Sequence, residues 1–244
     1  MKLQFRFINN DLIWISVMGR LLDFIINLLR WPVAILLILN IPAFSFAFMH
    51  MDFHNIKFYA FGAGVIFYVI TAFMSGSEIR SSMQIVSHEL THALFAYLTC
   101  HWVGRIRLNP DDSGGSMTLR GRGNWLITLS PYFFPLFTIL FMLIMPALLN
   151  TFADKFEKLL IYAIYGFFAA YYWATVISQV HTEQTDIIRE GFFFSGIIIV
   201  GGNLLVTGII FAFCSRLWDG VGIYFKILEK LNLQYVEAFK NLLG

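Results

Sequence analysis

Charge is what this chain of 244 residues has least of. Asp, Glu, Lys and Arg together make up 13% of it, about half their share in a soluble globular domain, and that deficit excludes an ordinary water-soluble fold. The balance of sign is also small, a formal +2. No basic surface is therefore written for a nucleic acid, and no nucleic-acid partner is expected. Cys100 and Cys214 are the only cysteines, which excludes a disulfide framework. Both fall at or near the ends of apolar runs and read as small apolar fillers. No polar linker, low-complexity tract or internal repeat interrupts the chain, so residues 1–244 are expected to form a single membrane-embedded domain. The start lacks a short apolar stretch followed by a small-residue cleavage site, so no removable signal peptide is read.

What fills the space is apolar: 58% of the residues are hydrophobic. In lipid, the backbone must satisfy its own polar groups, and long apolar runs do so as helices. The expected fold class is an all-α polytopic membrane protein with about six transmembrane helices. They are read at 31–49, 56–74, 83–100, 125–149, 158–178 and 192–213, within a transmembrane core of 31–214. Residues 1–30 mix charge with bulky apolar groups. Within them 12–29 reads as an interfacial helix whose Arg20 and Asp23, three apart, can pair. Residues 215–244 alternate Phe, Ile and Leu with Lys and Glu and read as an amphipathic tail at the membrane surface. Between the third and fourth runs, 103–108 and 116–119 flank a Pro/Asp/Gly-rich stretch at 109–115, which predicts a short β-hairpin. Pro131 and Pro135 predict a kink in the fourth run. Gly201, Gly202, Asn203 and Gly208 predict close helix packing in the sixth.

The chemistry sits in the third run. His88-Glu89-Leu90-Thr91-His92 reads H-E-x-x-H. Positions i and i+4 of a helix share one face, so His88 and His92 can address one metal ion, with Glu89 beside them as general base. That is the zinc-protease pattern. Ionisable groups at bilayer depth are costly and rarely idle. Catalytic zinc takes three protein ligands, so one is missing from the motif. From the hairpin the chain crosses away in the fourth run and returns in the fifth, which puts 179–191 on the hairpin side. Asp186 is the expected third ligand, in the first turn of a helix that Thr182 caps and that continues into the sixth run. An acidic residue in a first helical turn has an ordinary explanation too, the helix dipole. His181 and Glu183 are weaker candidates in the same cluster. Asp219 is the rival on pattern alone, and Asn203 lies at membrane depth but is a poor ligand for zinc.

These residues resemble the site-2 protease family of membrane-embedded zinc metalloproteases, in particular its compact bacterial branch. The resemblance runs from about 83 to 186 and is carried by HELTHA, the hairpin and the later aspartate. It implies that His88, His92 and a distant aspartate hold Zn2+ and that Glu89 activates water. It also implies a multi-pass protein of a bacterial cell membrane whose partners are the lipid bilayer and a membrane-protein substrate, cleaved in or near a transmembrane segment. The family's usual aspartate stands in an Asn-Pro-x-x-Asp-Gly-like segment, of which this chain has no clean copy. Gln184-Thr185-Asp186 is similar to the variant site of the compact branch.

Two other functions keep the same fold. One is a catalytically silent chaperone or regulator that binds helices in the same groove. The other is a transporter coupled to protons or metal ions, which is expected to carry polar groups in two repeated halves. With six crossings and the N-terminus inside, 11 of the 17 Lys and Arg residues fall inside. The positive-inside rule then puts the hairpin outside, whereas the family resemblance prefers it in the cytoplasm. If 12–29 also crosses, the frame inverts.

Overall fold

The structure is a computed structural model that describes residues 9–49, 51, 53–75, 77–108, 115–119 and 121–243. The chain is helical apart from one hairpin. In order it forms α1 (Asn9–Leu28), α2 (Arg30–Met49), α3 (Ile56–Met74), α4 (Ser77–Leu98), β1 (Val103–Leu108), β2 (Gly115–Leu119), α5 (Trp125–Leu129) with a 3-10 turn at Ser130–Tyr132, α6 (Leu136–Thr151), α7 (Lys155–Gln179), α8 (Thr185–Glu190) and α9 (Phe192–Leu243).

Helix starts follow local chemistry. Asn55 Oδ1 accepts from the Lys57 N–H at 3.1 Å and opens α3. Asp154 Oδ2 accepts from the Phe156 N–H at 2.7 Å and opens α7. Such caps satisfy backbone donors that have no carbonyl within the helix. The hairpin is antiparallel, with Val103 opposite Leu119 and Ile106 opposite Met117. Three steps on β1 face two on β2, so β1 carries a bulge, and Thr118 Oγ1 fills the irregularity by accepting from the Arg105 N–H. Residues 109–114 of the expected 109–115 turn lie outside the described residues.

The bundle is built on the crossing of α3 and α7. A β-carbon at Gly64 would run into the Ala163 carbonyl, and one at Gly166 into the Phe61 carbonyl. Only glycine lets these backbones meet, the close approach that small residues give membrane helices. Around the crossing, Phe141 and Met145 of α6 and Ile210 and Phe213 of α9 complete a buried cluster with Tyr165. The first part of α9, 192–215, lies along α2, where Gly201 meets Leu37, while Gly202 meets Phe133 at the break between α5 and α6. At Arg216 and Leu217 the backbone leaves the helical region. The chain then turns back, so that Tyr224 and Leu228 pack with Ala43, Phe44 and Ala47 of α2, and Asn232 donates to Asn40 at 2.8 Å. The amphipathic tail of the sequence reading is this returning limb, seated on α2.

Among the described residues four helices, α2, α3, α7 and α9, are long and apolar enough to cross a membrane, and α5 with α6, bent by 75° at their break, add a fifth if the bent pair is one span. About six were expected, and 83–100 is the run that is not among these helices. The observed helix α4 starts earlier, at Ser77, and its polar and charged residues keep it below the apolarity of a span. Its path agrees. Gln84 near its start meets Ser178 and Gln179 at the end of α7. Just past its end, His101 meets Asp23, which in turn accepts from Asn124 at the entry to α5. Arg30 at the start of α2 pairs with Glu190 before α9. Both ends of α4 therefore meet elements that open on one side of the bundle.

The same contacts seat α1, which is not among the helices apolar enough to cross. Asp23 is taken by His101 Nε2 at 3.0 Å and by Asn124 Nδ2 at 2.8 Å. Trp125 Nε1 donates to the Ile26 carbonyl at 2.7 Å. Gly19 lies against the Cys100 carbonyl. Leu21, Phe24 and Leu28 remain exposed, an apolar face suited to lipid.

Candidate metal centre

On α4 the histidines stand one turn apart, their rings edge-to-face with centroids 4.6 Å apart. The partners of their Nδ1 atoms fix the tautomers. His92 Nδ1 lies 2.7 Å from the Ile127 carbonyl of α5. A carbonyl only accepts, so this nitrogen carries the proton. His88 Nδ1 lies 2.8 Å from Gln179 Oε1. The orientation of that amide is set at its other end, where Nε2 donates to the Gln84 carbonyl at 3.1 Å. His88 therefore donates through Nδ1 as well. Both Nε2 atoms are left as bare lone pairs, 3.0 Å from one another.

Asp186 joins them. Its Oδ2 is 3.5 Å from His88 Nε2 and 3.2 Å from His92 Nε2. The aspartate sits in the first turn of α8, whose N-cap is Gln184 rather than Thr182. The helix also fails to continue into α9 as expected, because Gly191, at φ +86°, ends it. A separate short helix carries Asp186, and the glycine lets it tilt toward α4 independently of α9.

Three acceptor atoms thus converge with both Nδ1 protons committed elsewhere, an arrangement suited to a shared cation. Donor atoms of a tetrahedral zinc with bonds of 2.0–2.1 Å lie about 3.3 Å apart, and the observed separations of 3.0, 3.2 and 3.5 Å bracket that length. The set of two imidazoles and a carboxylate fits zinc in both chemistry and size. The outer partners, Gln179 and the Ile127 carbonyl, are of the kind that fixes metal-bound imidazoles.

Glu89 is buried beside this group. Its carboxylate packs on Gly115, the first residue of β2. A cleft of about 670 Å3 opens over the centre, lined by α4, β2, α5 and the 179–189 segment. Met117 and Leu119 line it from β2, while His181, Glu183 and Arg189 stand at its mouth. His181 and Glu183 are exposed and stay on that rim, where His181 meets Gln184. Asp219 is exposed beyond the break of α9, at the far end of the bundle from α8. Asn203 takes no place among the converging atoms and bonds instead to the α5–α6 break.

Sequence reasoning passed over Gln179, Tyr132 and Gly115. Gln179 opens the 179–191 segment expected on the hairpin side, and Tyr132 lies between the two prolines of the expected kink. Gly115 carried no signal beyond its place in a turn-rich stretch.

Fold and centre together define a polytopic helical membrane protein with a His–His–carboxylate cluster under a cleft. The model of the Peptidase M50B-like family matches residues 61–183, half of the chain. The protein belongs to this family of membrane-embedded metallopeptidases. The match contains His88, Glu89 and His92 and ends three residues before Asp186, so the aspartate is a candidate on geometry alone. No curated protein and no solved structure shows significant similarity to the chain.

Proposed function

We propose that the protein is an intramembrane zinc metalloendopeptidase that hydrolyses a peptide bond in or near a transmembrane segment of a membrane-protein substrate, in a bacterial cell membrane. One observation carries the reading: Nε2 of His88, Nε2 of His92 and Oδ2 of Asp186 face one another within 3.5 Å with both Nδ1 protons committed elsewhere. His88, His92 and Asp186 would hold Zn2+, which when bound supplies Lewis acidity that acidifies water and polarises a carbonyl.

The remaining work falls to the chain. Glu89 accepts the proton of the attacking water at its carboxylate and returns it to the nitrogen of the leaving amine. Gln179 and the Ile127 carbonyl keep both imidazoles in the tautomer that faces inward. A helical substrate hides its carbonyls, and β2 offers a remedy. It pairs only with β1 among the described residues and lines the cleft. An unwound substrate segment can add along its open edge, with Met117 and Leu119 against its side chains.

The test is cleavage of a model membrane substrate by purified protein in detergent. Glu89→Gln and His92→Ala are expected to abolish it. Undiminished cleavage by Glu89→Gln overturns the mechanism. If the wild type binds the substrate without cutting it, the silent chaperone or regulator takes its place.

A further inference from the structure

Between α5 and α6 stands a side chain that touches two of the three converging groups. Tyr132 is wholly buried. Its ring meets the His88 ring edge-on, with centroids 5.2 Å apart. Its hydroxyl donates to Asp186 Oδ2 at 3.4 Å, the one hydrogen bond of that hydroxyl among the described residues. We infer that Tyr132 is a positioning residue for the zinc centre, aiming Asp186 at the two imidazoles, and that Asn203 and Tyr172 hold it in place. The inference rests on the zinc reading given above.

The geometry of the break explains the brace. Pro135 has no N–H, and the Leu136 N–H turns to the Phe134 carbonyl at 3.0 Å rather than to Tyr132. The carbonyls around the bend are then left without their helical partners, in a setting where water is scarce. Asn203 of α9 donates through Nδ2 to the Tyr132 carbonyl at 2.8 Å. Tyr172 of α7 donates to the Phe133 carbonyl at 3.1 Å and shares that proton with Asn203 Oδ1. Gly202 makes the reach possible, since a β-carbon there would stand 3.0 Å from Phe133 Cβ. A bend that would otherwise be a weak point is tied to two neighbouring helices, and the residue at its tip contacts the centre.

Packing alone does not account for Tyr132. Phenylalanine would fill the same space against His88. The hydroxyl is a buried polar group whose acceptor is the carboxylate oxygen that faces both imidazoles, and a partner of this kind orients a metal-binding carboxylate. Asn203, the membrane-depth polar residue that is a poor ligand, acquires its role here.

The experiment uses full-length protein with Tyr132→Phe, Tyr172→Phe and Asp186→Ala. Two quantities are read: the zinc dissociation constant by chelator competition, and the visible spectrum of the cobalt-substituted protein. Tyr132→Phe is expected to weaken zinc about 10- to 100-fold and to change the cobalt bands, while the melting temperature of the metal-free protein stays put. Tyr172→Phe is expected to act in the same direction with smaller size. Wild-type affinity and an unchanged spectrum in Tyr132→Phe, alongside loss of zinc in Asp186→Ala, overturn the positioning role and leave the centre standing. Retention of zinc by Asp186→Ala overturns both.

Discussion

Gly115 lies so close to Glu89 that a β-carbon on it would stand 2.6 Å from Glu89 Oε1. The hairpin is thereby seated directly on the proposed general base, and the seat is shaped for a residue without a side chain.

Gly115→Ala is therefore expected to leave the fold intact and damage turnover. The atoms in the way belong to the flexible end of Glu89, which yields at little cost to stability. A displacement of about 1 Å at a reacting group can lower rate on the order of 100-fold. Steady-state kinetics with zinc analysis should show kcat falling while bound zinc stays stoichiometric. Unchanged kcat would mean that the position of Glu89 does not matter to the reaction.

The third ligand can be separated from its rival. His92→Ala and Asp186→Ala are expected to lose stoichiometric zinc, and Asp219→Ala to keep it, because Asp219 stands at the opposite end of the bundle from α8. Elemental analysis after gel filtration reads this directly. Gln179→Ala removes the acceptor that holds the His88 Nδ1 proton and is expected to weaken zinc roughly 10- to 100-fold.

Sidedness gives an independent test of the five crossings. With Cys100 and Cys214 replaced, single cysteines at Arg20, Thr118 and Lys155 can be labelled in intact cells with an impermeant reagent. Positions 20 and 118 should respond alike and 155 oppositely. A topology in which α4 crosses sets 20 and 118 apart.

The α3–α7 crossing tolerates no side chain. Gly64→Val and Gly166→Val each drive a branched side chain into a backbone carbonyl of the facing helix. Overpacking of this kind typically costs about 1–3 kcal/mol, and here rigid backbone must move, which favours the upper end. The expected readout is a lowered melting temperature in detergent and poor accumulation in membranes, with Gly62→Ala, which meets nothing within 4 Å, as the neutral control.

What was legible beforehand depended on distance along the chain. The pairing of His88 with His92 is a property of one helical turn and could be read from spacing. Asp186 is 94 residues from His92 by their numbers, and it could be put forward as a candidate from the parity of crossings after the hairpin alone. That parity is the same whether or not α4 crosses: 83–100 reads as a span because it is apolar around its motif, and apolarity does not distinguish burial against protein from burial in lipid. Helix boundaries near Asp186 were misplaced because Thr182 has the chemistry of a cap, whereas Gly191 ended α8 for reasons of backbone geometry. Pro131 and Pro135 announced a kink. Its 75° angle and the bonds from Asn203 and Tyr172 depend on two helices distant in sequence, and nothing local encodes them.

Since both ends of α4 meet elements that open on one side of the bundle, the cleft lined by α4 and the 179–189 segment lies toward that side. A hydrolase consumes one water for each bond it severs and creates two ionic ends, an ammonium and a carboxylate. Hydrocarbon would resist the passage of all three. With His181, Glu183 and Arg189 lining the cleft, the proposed reaction would draw its water and release both new termini through one polar doorway.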